Sequence, residues 1–457
     1  MNSKKFFRNF IILAILTGIN QNVSAQDTHY WNLQYGTRST LLSGAVIGSV
    51  SDMAATYYNP AALALFPAPE ILLSGKVYQY SSLTLNNGAG PGKDLTSSTI
   101  EAAPTLFAGS FTFDWLGDHT LSYSILTRQR MNYGIEGRRG GTSDTGSGEE
   151  LVAGELIANQ ELSDLWIGLT WAVKLNPNIA IGVTPYLSIR DQKTRKHAYT
   201  EILDPIGNVS AAIITQQFEY KNYRLLAKAG FGANFDPLTF GFSITSPSLS
   251  ITGSGSSLVN LLNTGDSSSE ETAFIANFQQ DVTARHHMPL AIGFGAGYRL
   301  GKHRLHVSAE WFDKVDRYNI LDTEDFTAQS SDEIYSNQVD SEFKSVTNYG
   351  IGAEFYLSEN LDLFVSYVTD FSASVPDSRT NLTVSTWDIY HLSSGASFSI
   401  GRSEFTLGIN YAFGSGKVKG PVNLPEGDIK NTLVDLLEGS DLDYKRLKFL
   451  IGFSIEI

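Results

Sequence analysis

Near its end the chain alternates: Leu447, Phe449, Ile451, Phe453, Ile455 and Ile457 are apolar, with Arg446, Lys448, Gly452, Ser454 and Glu456 between them. A period of two with one oily and one wet face predicts a β-strand. The same alternation recurs upstream. Phe405, Leu407, Ile409, Tyr411 and Phe413 oppose Thr406, Gly408, Asn410 and Ala412, and Leu290, Ile292, Phe294, Ala296, Tyr298 and Leu300 oppose Gly293, Gly295, Gly297 and Arg299. After Gly301, Leu305, Val307, Ala309 and Trp311 oppose Arg304, His306, Ser308 and Glu310. Charges keep to one face.

Tight turn signals separate these segments: Leu116-Gly117-Asp118, Asn176-Pro177-Asn178, Asp236-Pro237, Gly301-Lys302, Ser358-Glu359-Asn360 and Gly401-Arg402. Each predicts a hairpin. With a first strand near Ile71 to Leu85 and the closing strand, the six hairpins give fourteen strands. Longer polar stretches, about 86–102, 136–161, 199–210, 248–285, 316–342, 375–383 and 414–442, alternate with the tight turns. Within them Leu258-Val259-Asn260-Leu261-Leu262 and Leu433-Val434-Asp435-Leu436-Leu437 have short helical patterns. An even strand count, short turns on one side, long loops on the other and an apolar register running to Ile457 predict an all-β, 14-stranded antiparallel transmembrane barrel over 70–457. Its oily face meets lipid, where a Lys or Arg at mid-membrane costs about 2–4 kcal/mol.

The N-terminus predicts export. Lys4, Lys5 and Arg8 precede an apolar run from Phe10 to Ile19, and Val23-Ser24-Ala25 offers a small-x-small cleavage site before Gln26. Residues 1–25 therefore read as a secretory signal, too short for the about 20 apolar residues of a spanning helix. Its removal takes away three positive charges, moving the formal charge from −14 to −17. So acidic a chain is a poor partner for nucleic acid. There is no cysteine, hence no disulfide and no thiolate chemistry. Gly 41, Tyr 21 and Phe 26, against 18% charged residues, suit a barrel with a small-residue lumen and aromatic girdles.

From Gln26 to Pro69 the period of two is missing. The stretch contains Ser43-Gly44-Ala45, Val50-Ser51-Asp52 and Tyr58-Asn59-Pro60-Ala61-Ala62-Leu63. Irregular backbone at membrane depth must be buried in protein or line a cavity, so 26–69 is expected to be a plug in the lumen. On these motifs, followed by a fourteen-strand pattern, the chain resembles the FadL-type hydrophobic-compound transporters. The motif resemblance covers residues 38 to 63; Ala62 stands where the family commonly has Gly. The resemblance implies an outer-membrane channel, acting as a monomer, in which outer loops capture a hydrophobic small molecule such as a long-chain fatty acid. Plug movement then opens a path to a lateral gap in the wall. Asn59, Pro60 and Ala61 would mark the plug hinge, since Pro fixes φ and Asn tolerates turn conformations. The plainer role is capping a short plug helix. A related branch, whose barrels serve protein secretion, carries a similar Asn-Pro-Ala block and implies the alternative of a non-transporting scaffold or shuttle for secreted proteins.

Pro185 interrupts Ile179, Ile181, Val183, Leu187 and Ile189 on the predicted lipid face. Proline cannot donate to a ladder, so the strand must bulge or leave a neighbour without its bond. Pro185 is thus the candidate border of a lateral opening, against the reading of a harmless bulge. Arg128, Arg130, Lys174, Arg190, Arg224, Lys228, Arg299 and Arg304 fall on the wet face and offer a basic lumen lining, to be met by acids such as Glu310 and Glu354 or by an acidic ligand head group. Signs of catalysis are weak. His391-Leu392-Ser393-Ser394-Gly395 is similar to the His-x-Ser-Asn-Gly of outer-membrane phospholipases, but Ser394 replaces the Asn. His286-His287 and His303/His306 lack metal-ligand spacing, and no phosphate-binding glycine loop or dinucleotide fingerprint occurs. No enzyme, cofactor or metal is expected. The expected contacts are membrane lipid, lipopolysaccharide at acidic outer-loop clusters such as Asp322-Thr323-Glu324-Asp325, and a hydrophobic or amphiphilic small molecule.

Overall fold

The computed structural model describes residues 28–66, 71–86, 94–111, 117–144, 149–264, 273–375, 387–418 and 440–455. The signal segment, Leu433 to Leu437 and Ile457 lie outside them. Strands β1 (Ile71–Leu85), β2 (Leu95–Phe111), β3 (His119–Asp144), β4 (Glu149–Asn176), β5 (Ile179–Leu203), β6 (Val209–Phe235) and β7 (Leu238–Thr245) follow one another in chain and in space. Next come β8 (Leu249–Asn263), β9 (Ala273–Thr283), β10 (Ala291–Leu300), β11 (His303–Phe312), β12 (Val315–Leu321), β13 (Phe326–Thr327), β14 (Ile334–Tyr335) and β15 (Val339–Phe343). The last are β16 (Val346–Ser358), β17 (Leu361–Asp370), β18 (Ile389–Ile400), β19 (Ser403–Val418) and β20 (Ser440–Ile455).

Fourteen of these make the wall: β1 to β7, β10, β11 and β16 to β20, each antiparallel to its neighbours. The predicted closure is present, since β20 pairs with β1 from Ile71↔Ile455 to Leu85↔Leu442. A closed ladder leaves no sheet edge to be satisfied by absent water. The faces are as the alternation predicts. In β10, Gly293, Gly295 and Gly297 turn inward and are buried, while Phe294 and Tyr298 are exposed on the outside. In β19, Phe405, Leu407, Ile409 and Tyr411 are likewise exposed outside. This outer apolar face matches a hydrocarbon surround.

Where described, four of the long polar stretches hold strands in place of the expected loops, whereas most of 86–102, 375–383 and 414–442 lies outside the described residues or in strand ends. β3 and β4 remain paired out to Asp144↔Glu149, through 136–161, and β5 and β6 out to Leu203↔Val209, through 199–210. Beyond the lipid, a strand with polar residues outward is as good a surface as a loop, and the ladder simply continues. Leu258 to Leu262 is strand, not helix: it lies in β8, pairing with β6 (Gln217↔Leu258, Ile213↔Leu262), and Leu261 is buried beside Ile214 and Ile275. The waiting edge of β6 outweighs a short helical pattern. The stretch 316–342 carries β12 to β15.

Residues 28–66 lie against the inward faces of the wall and are nearly all buried. They include three one-turn helices, α1 (Arg38–Leu41), α2 (Ala55–Tyr58) and α3 (Ala62–Leu65). Too short to hold themselves, these turns are fixed by the wall. Ser366 Oγ of β17 donates to Leu41 O at 2.9 Å, and Ser43 and Ser393 hydroxyls meet at 2.6 Å. On another side, Ile47 N donates to Ser308 Oγ of β11 at 3.0 Å. Close approach requires glycine in the wall: a Cβ on Gly295 would stand 2.5 Å from Gly48 N, and one on Gly230 would stand 2.2 Å from Asn59 Oδ1.

Gly295→Val is expected to displace this segment, not the barrel, at a cost of about 1–3 kcal/mol of overpacking. The check is limited proteolysis combined with gel mobility before and after heating: cleavage within 28–66 should appear while the heat-sensitive mobility of the barrel is kept.

Candidate functional site

The motif that singles out the N-terminal segment sits at a three-way junction. Asn59 is buried; its Nδ2 donates to Ile47 O and to Phe231 O of β6, both at 3.0 Å, and its Oδ1 accepts from Ala61 N at 3.2 Å. Asn59 O also accepts from Ala62 N at 3.0 Å, leading into α3. One side chain thus holds two parts of the segment and the wall together. Pro60 and Ala61 pack on Gly182 of β5 and Gly230 of β6.

Above this junction lies an aromatic and cationic centre. Tyr35, Tyr57, Tyr58, Trp166 and Tyr186 form a chain of ring contacts between 4.6 and 6.2 Å. Tyr186 Oη and Thr184 Oγ1 both donate to Thr56 O, at 2.6 and 3.0 Å. Of the predicted lining, Arg128, Arg190, Arg224 and Lys228 are all buried here. Arg224 Nη2 donates to Asp164 Oδ2 at 2.6 Å, and Arg190 Nη1 stands 3.5 Å from the same oxygen. Lys228 Nζ donates to Glu310 Oε1 at 3.2 Å, while Glu310 Oε2 accepts from Trp31 Nε1 at 2.7 Å. Arg128 is held by ring faces instead, 5.8 Å from the Tyr57 centroid and 5.7 Å from that of Trp166, and its Nε and Nη1 have no hydrogen bond.

The remaining predicted cations lie elsewhere. Arg130 and Lys174 are exposed. Arg299 keeps its inward parity but sits at the turn rim, exposed and paired with Asp236, and Arg304 is half-buried near the same rim. Asp164 was not visible as a partner in the sequence, because its role depends on being opposite Arg190 across the ladder. A second buried cluster joins His29, Asp370 and His391: Asp370 Oδ2 lies 3.7 Å from His29 Nδ1 and 3.8 Å from His391 Nε2, and Asp370 Oδ1 accepts from Trp31 N at 2.9 Å. Among the described residues no group of three or more His, Cys, Asp or Glu is arranged to hold a metal.

Toward one rim, Arg38 reaches both Ser51 and Glu354. Burial, and then the neighbouring Arg304, lower its pKa to about 10. Asp52 accepts from Ser39 N, Ser39 Oγ and Ala54 N at 3.0, 2.9 and 3.1 Å; burial nonetheless raises its carboxyl above the ordinary value.

The wall itself is incomplete between β2 and β3. Among the described residues their ladder runs only from Phe111↔Leu121 to Leu106↔Leu126. At that level three successive strands are irregular: β1 around Val77, β2 at Thr105 beside Pro104, and β3 at Arg128. Thr105 and Leu106 are both buried, as are Arg128 and Gln129, so each strand inserts one residue and reverses its parity. This is why Arg128 points inward and Arg130 outward. Pro185 marks a milder defect. It is exposed on the outer face, and the β4–β5 ladder omits Leu169/Pro185 and Thr170/Thr184 without changing register. The Thr170 and Thr184 hydroxyls bridge that point at 2.9 Å, and Pro185 still pairs with Ala227 on β6.

A cavity adjoins the β2–β3 seam. Its walls include Gln79 and Leu83 of β1, Ser97 and Thr99 of β2, Met131 and Tyr133 of β3, and Trp387 and Arg446, with His29 and Asn32 of the N-terminal segment at its base. Its cavity volume is small, about 70 Å³, and it opens to solvent. Apolar rings and a few polar groups facing one space suit an apolar or amphiphilic small molecule.

No family model matches the sequence, and no curated relative does. Solved structures do. A FadL homologue of Pseudomonas aeruginosa is 14% identical over 95% of this chain and 100% of that one, with a TM-score of 0.57. The toluene transporter TodX of P. putida is 13% identical over 93% and 99%, at 0.58, and the toluene transporter TbuX of Ralstonia pickettii 13% over 93% and 100%, at 0.55. The chain has the FadL-type barrel fold. At these identities the likeness is one of fold, extending along nearly the whole chain.

Asp164→Asn should leave Arg190 and Arg224 as uncompensated buried charges, at a cost of about 3–5 kcal/mol. A lower temperature for loss of the heat-modifiable form is the expected readout, with Glu161→Gln, on the exposed side of the same strand, unchanged.

Proposed function

We propose that this chain is an outer-membrane channel for hydrophobic small molecules, exported with cleavage of residues 1–25, in which residues 26–69 act as the plug. It performs no chemistry. Ligand enters from the outer side, rests in the cavity beside Tyr133 and Trp387, and leaves sideways through the β2–β3 seam. The observation that carries this reading is the conjunction of that cavity with a wall that lacks its ladder at the same place. A scaffold with a sealed lumen has no use for either. Long-chain fatty acids are suitable cargo, because Arg446 in the cavity wall and the cations beneath offer an acid head group partners while the rings take its chain. The printed names of the structural neighbours, a FadL homologue and toluene transporters, agree with an apolar cargo. The seam replaces Pro185 as the favoured exit. Asn59, Pro60 and Ala61 are the proposed hinge of the plug, the junction that must loosen if the plug moves.

Ser97→Trp fills the cavity from β2 and lies away from the buried Asp164 and Glu310 pairs. Uptake of a fluorescent fatty acid by cells carrying this variant should fall about ten-fold, as expected when a preformed pocket is lost, with barrel abundance unchanged. Pro185→Val should take up probe like the parent. The reverse pattern would move the exit to β4–β5.

A further inference from the structure

The lumen holds more buried positive charge than its carboxylates answer. Asp164 of β4 lies opposite Arg190 of β5 and accepts from Arg224 of β6, while Gln129, next to Arg128 on β3, stands across the ladder from Asp164. The register thus gathers three guanidiniums around one carboxylate, all four groups no more than 1% exposed. Lys228 and Glu310 pair with each other and leave this surplus standing. Arg190 is engaged on every nitrogen: Nε donates to Tyr220 Oη, Nη1 to Gln129 Oε1 and Nη2 to Gln192 Oε1, at 2.9, 2.7 and 3.2 Å. Its two neighbours are not. Arg128 Nε and Nη1 and Arg224 Nε and Nη1 make no hydrogen bond, and Nδ1 of the buried His286 likewise has no partner. Asn222, two residues before Arg224 on β6, holds the chain near His286 by donating Nδ2 to Ala284 O at 3.1 Å.

We propose that this centre is a binding site for a resident monatomic anion, a halide, held between Arg128 and Arg224 beside Asp164. Positive charges out of reach of water and without a counter-charge are costly, and a small anion taking their free N–H groups offsets much of that cost. The ring faces of Tyr57 and Trp166 serve Arg128 for the remainder. The pattern of unmet donors selects the anion. A carboxylate or phosphate is gripped by two parallel N–H groups of one guanidinium, Nε with Nη2 or Nη1 with Nη2. Arg224 already gives Nη2 to Asp164 and Ser188, both at 2.6 Å, so each of its forks is broken and single N–H groups remain. Single N–H bonds from separate residues suit a spherical ion. Burial selects the same way, since an anion that carries a chain needs a path which groups at most 1% exposed do not offer. With these cations engaged, Arg446 in the cavity wall is the group that meets an acid head group. The site goes beyond the transport reading and does not depend on it.

The test follows loss of the heat-modifiable form of the full-length protein in detergent, exchanged into sodium gluconate, with sodium chloride or bromide added back at constant ionic strength. Halide should raise the transition by about 5 °C and continue to raise it with the logarithm of its concentration, as binding to the folded state alone requires. Arg128→Met removes one charge and its two unmet donors, so its transition should be the same in gluconate and chloride. Lys193→Met, at an exposed position of β5, should respond like the parent. If Arg128→Met does not assemble, bromide-soaked crystals of the parent decide the matter, with an anomalous peak expected between Arg128 and Arg224. Equal transitions of the parent in gluconate and chloride overturn the site, as does a halide effect that Arg128→Met retains or a bromide peak at exposed cations alone. A fatty acid that reproduces the full effect in gluconate also overturns it, because the centre then takes a head group and not a resident ion.

Discussion

A backbone N–H or C=O within a bilayer has no water to bond, and this constraint organises the whole molecule. It explains why β20 must find β1, why the strand count is even, and why the irregular residues 28–66 are enclosed by the wall. It also gives weight to each place where the ladder fails. At Pro185 the failure is confined to two pairs, bridged by the Thr170 and Thr184 hydroxyls, and the register passes through unchanged. At the β2–β3 seam it persists along the outer half of both strands.

The same absence of water governs the lumen charges. Four buried cations, Arg128, Arg190, Arg224 and Lys228, share two buried carboxylates, Asp164 and Glu310. Arg128, left without a carboxylate hydrogen bond, lies against Tyr57 and Trp166. Tyr57 comes from the N-terminal segment, and so does Trp31, which bonds Glu310. The segment thus helps to satisfy the charges as well as filling space. Moving it would cost the site part of its compensation, which couples its position to the state of the lumen.

Much of this was legible in the sequence because strands report their faces residue by residue. Phe294 against Gly295, or Leu407 against Gly408, declares inside and outside without any tertiary knowledge, and the turn at Gly301 needs only a residue that accepts φ of 63°. The extent of the strands was not legible. Past the lipid, polarity no longer distinguishes a strand from a loop, so 136–161 reads as loop although its described residues pair out to Asp144↔Glu149. Leu258 to Leu262 misleads for the complementary reason: five residues cannot reveal that an edge of β6 is waiting for them. Partners across the ladder, such as Asp164 for Arg190, depend on register, which a single strand does not contain.

The seam is hidden in the sequence for a more specific reason. A single insertion reverses parity along the rest of a strand, and would have shown as charges moving to the oily face. Here the reversal falls near the edge of the lipid, where Arg130 and Asn132 turn outward into a polar surround and no rule is broken. Pro104 was the visible sign, and it lies beside the insertion of Thr105; Pro185, with a longer run of aliphatic neighbours, attracted attention instead. Proline alone removes one donor, which a hydroxyl pair can span. Insertions at one level in three neighbouring strands change the path of the wall, and that is the stronger criterion for an opening.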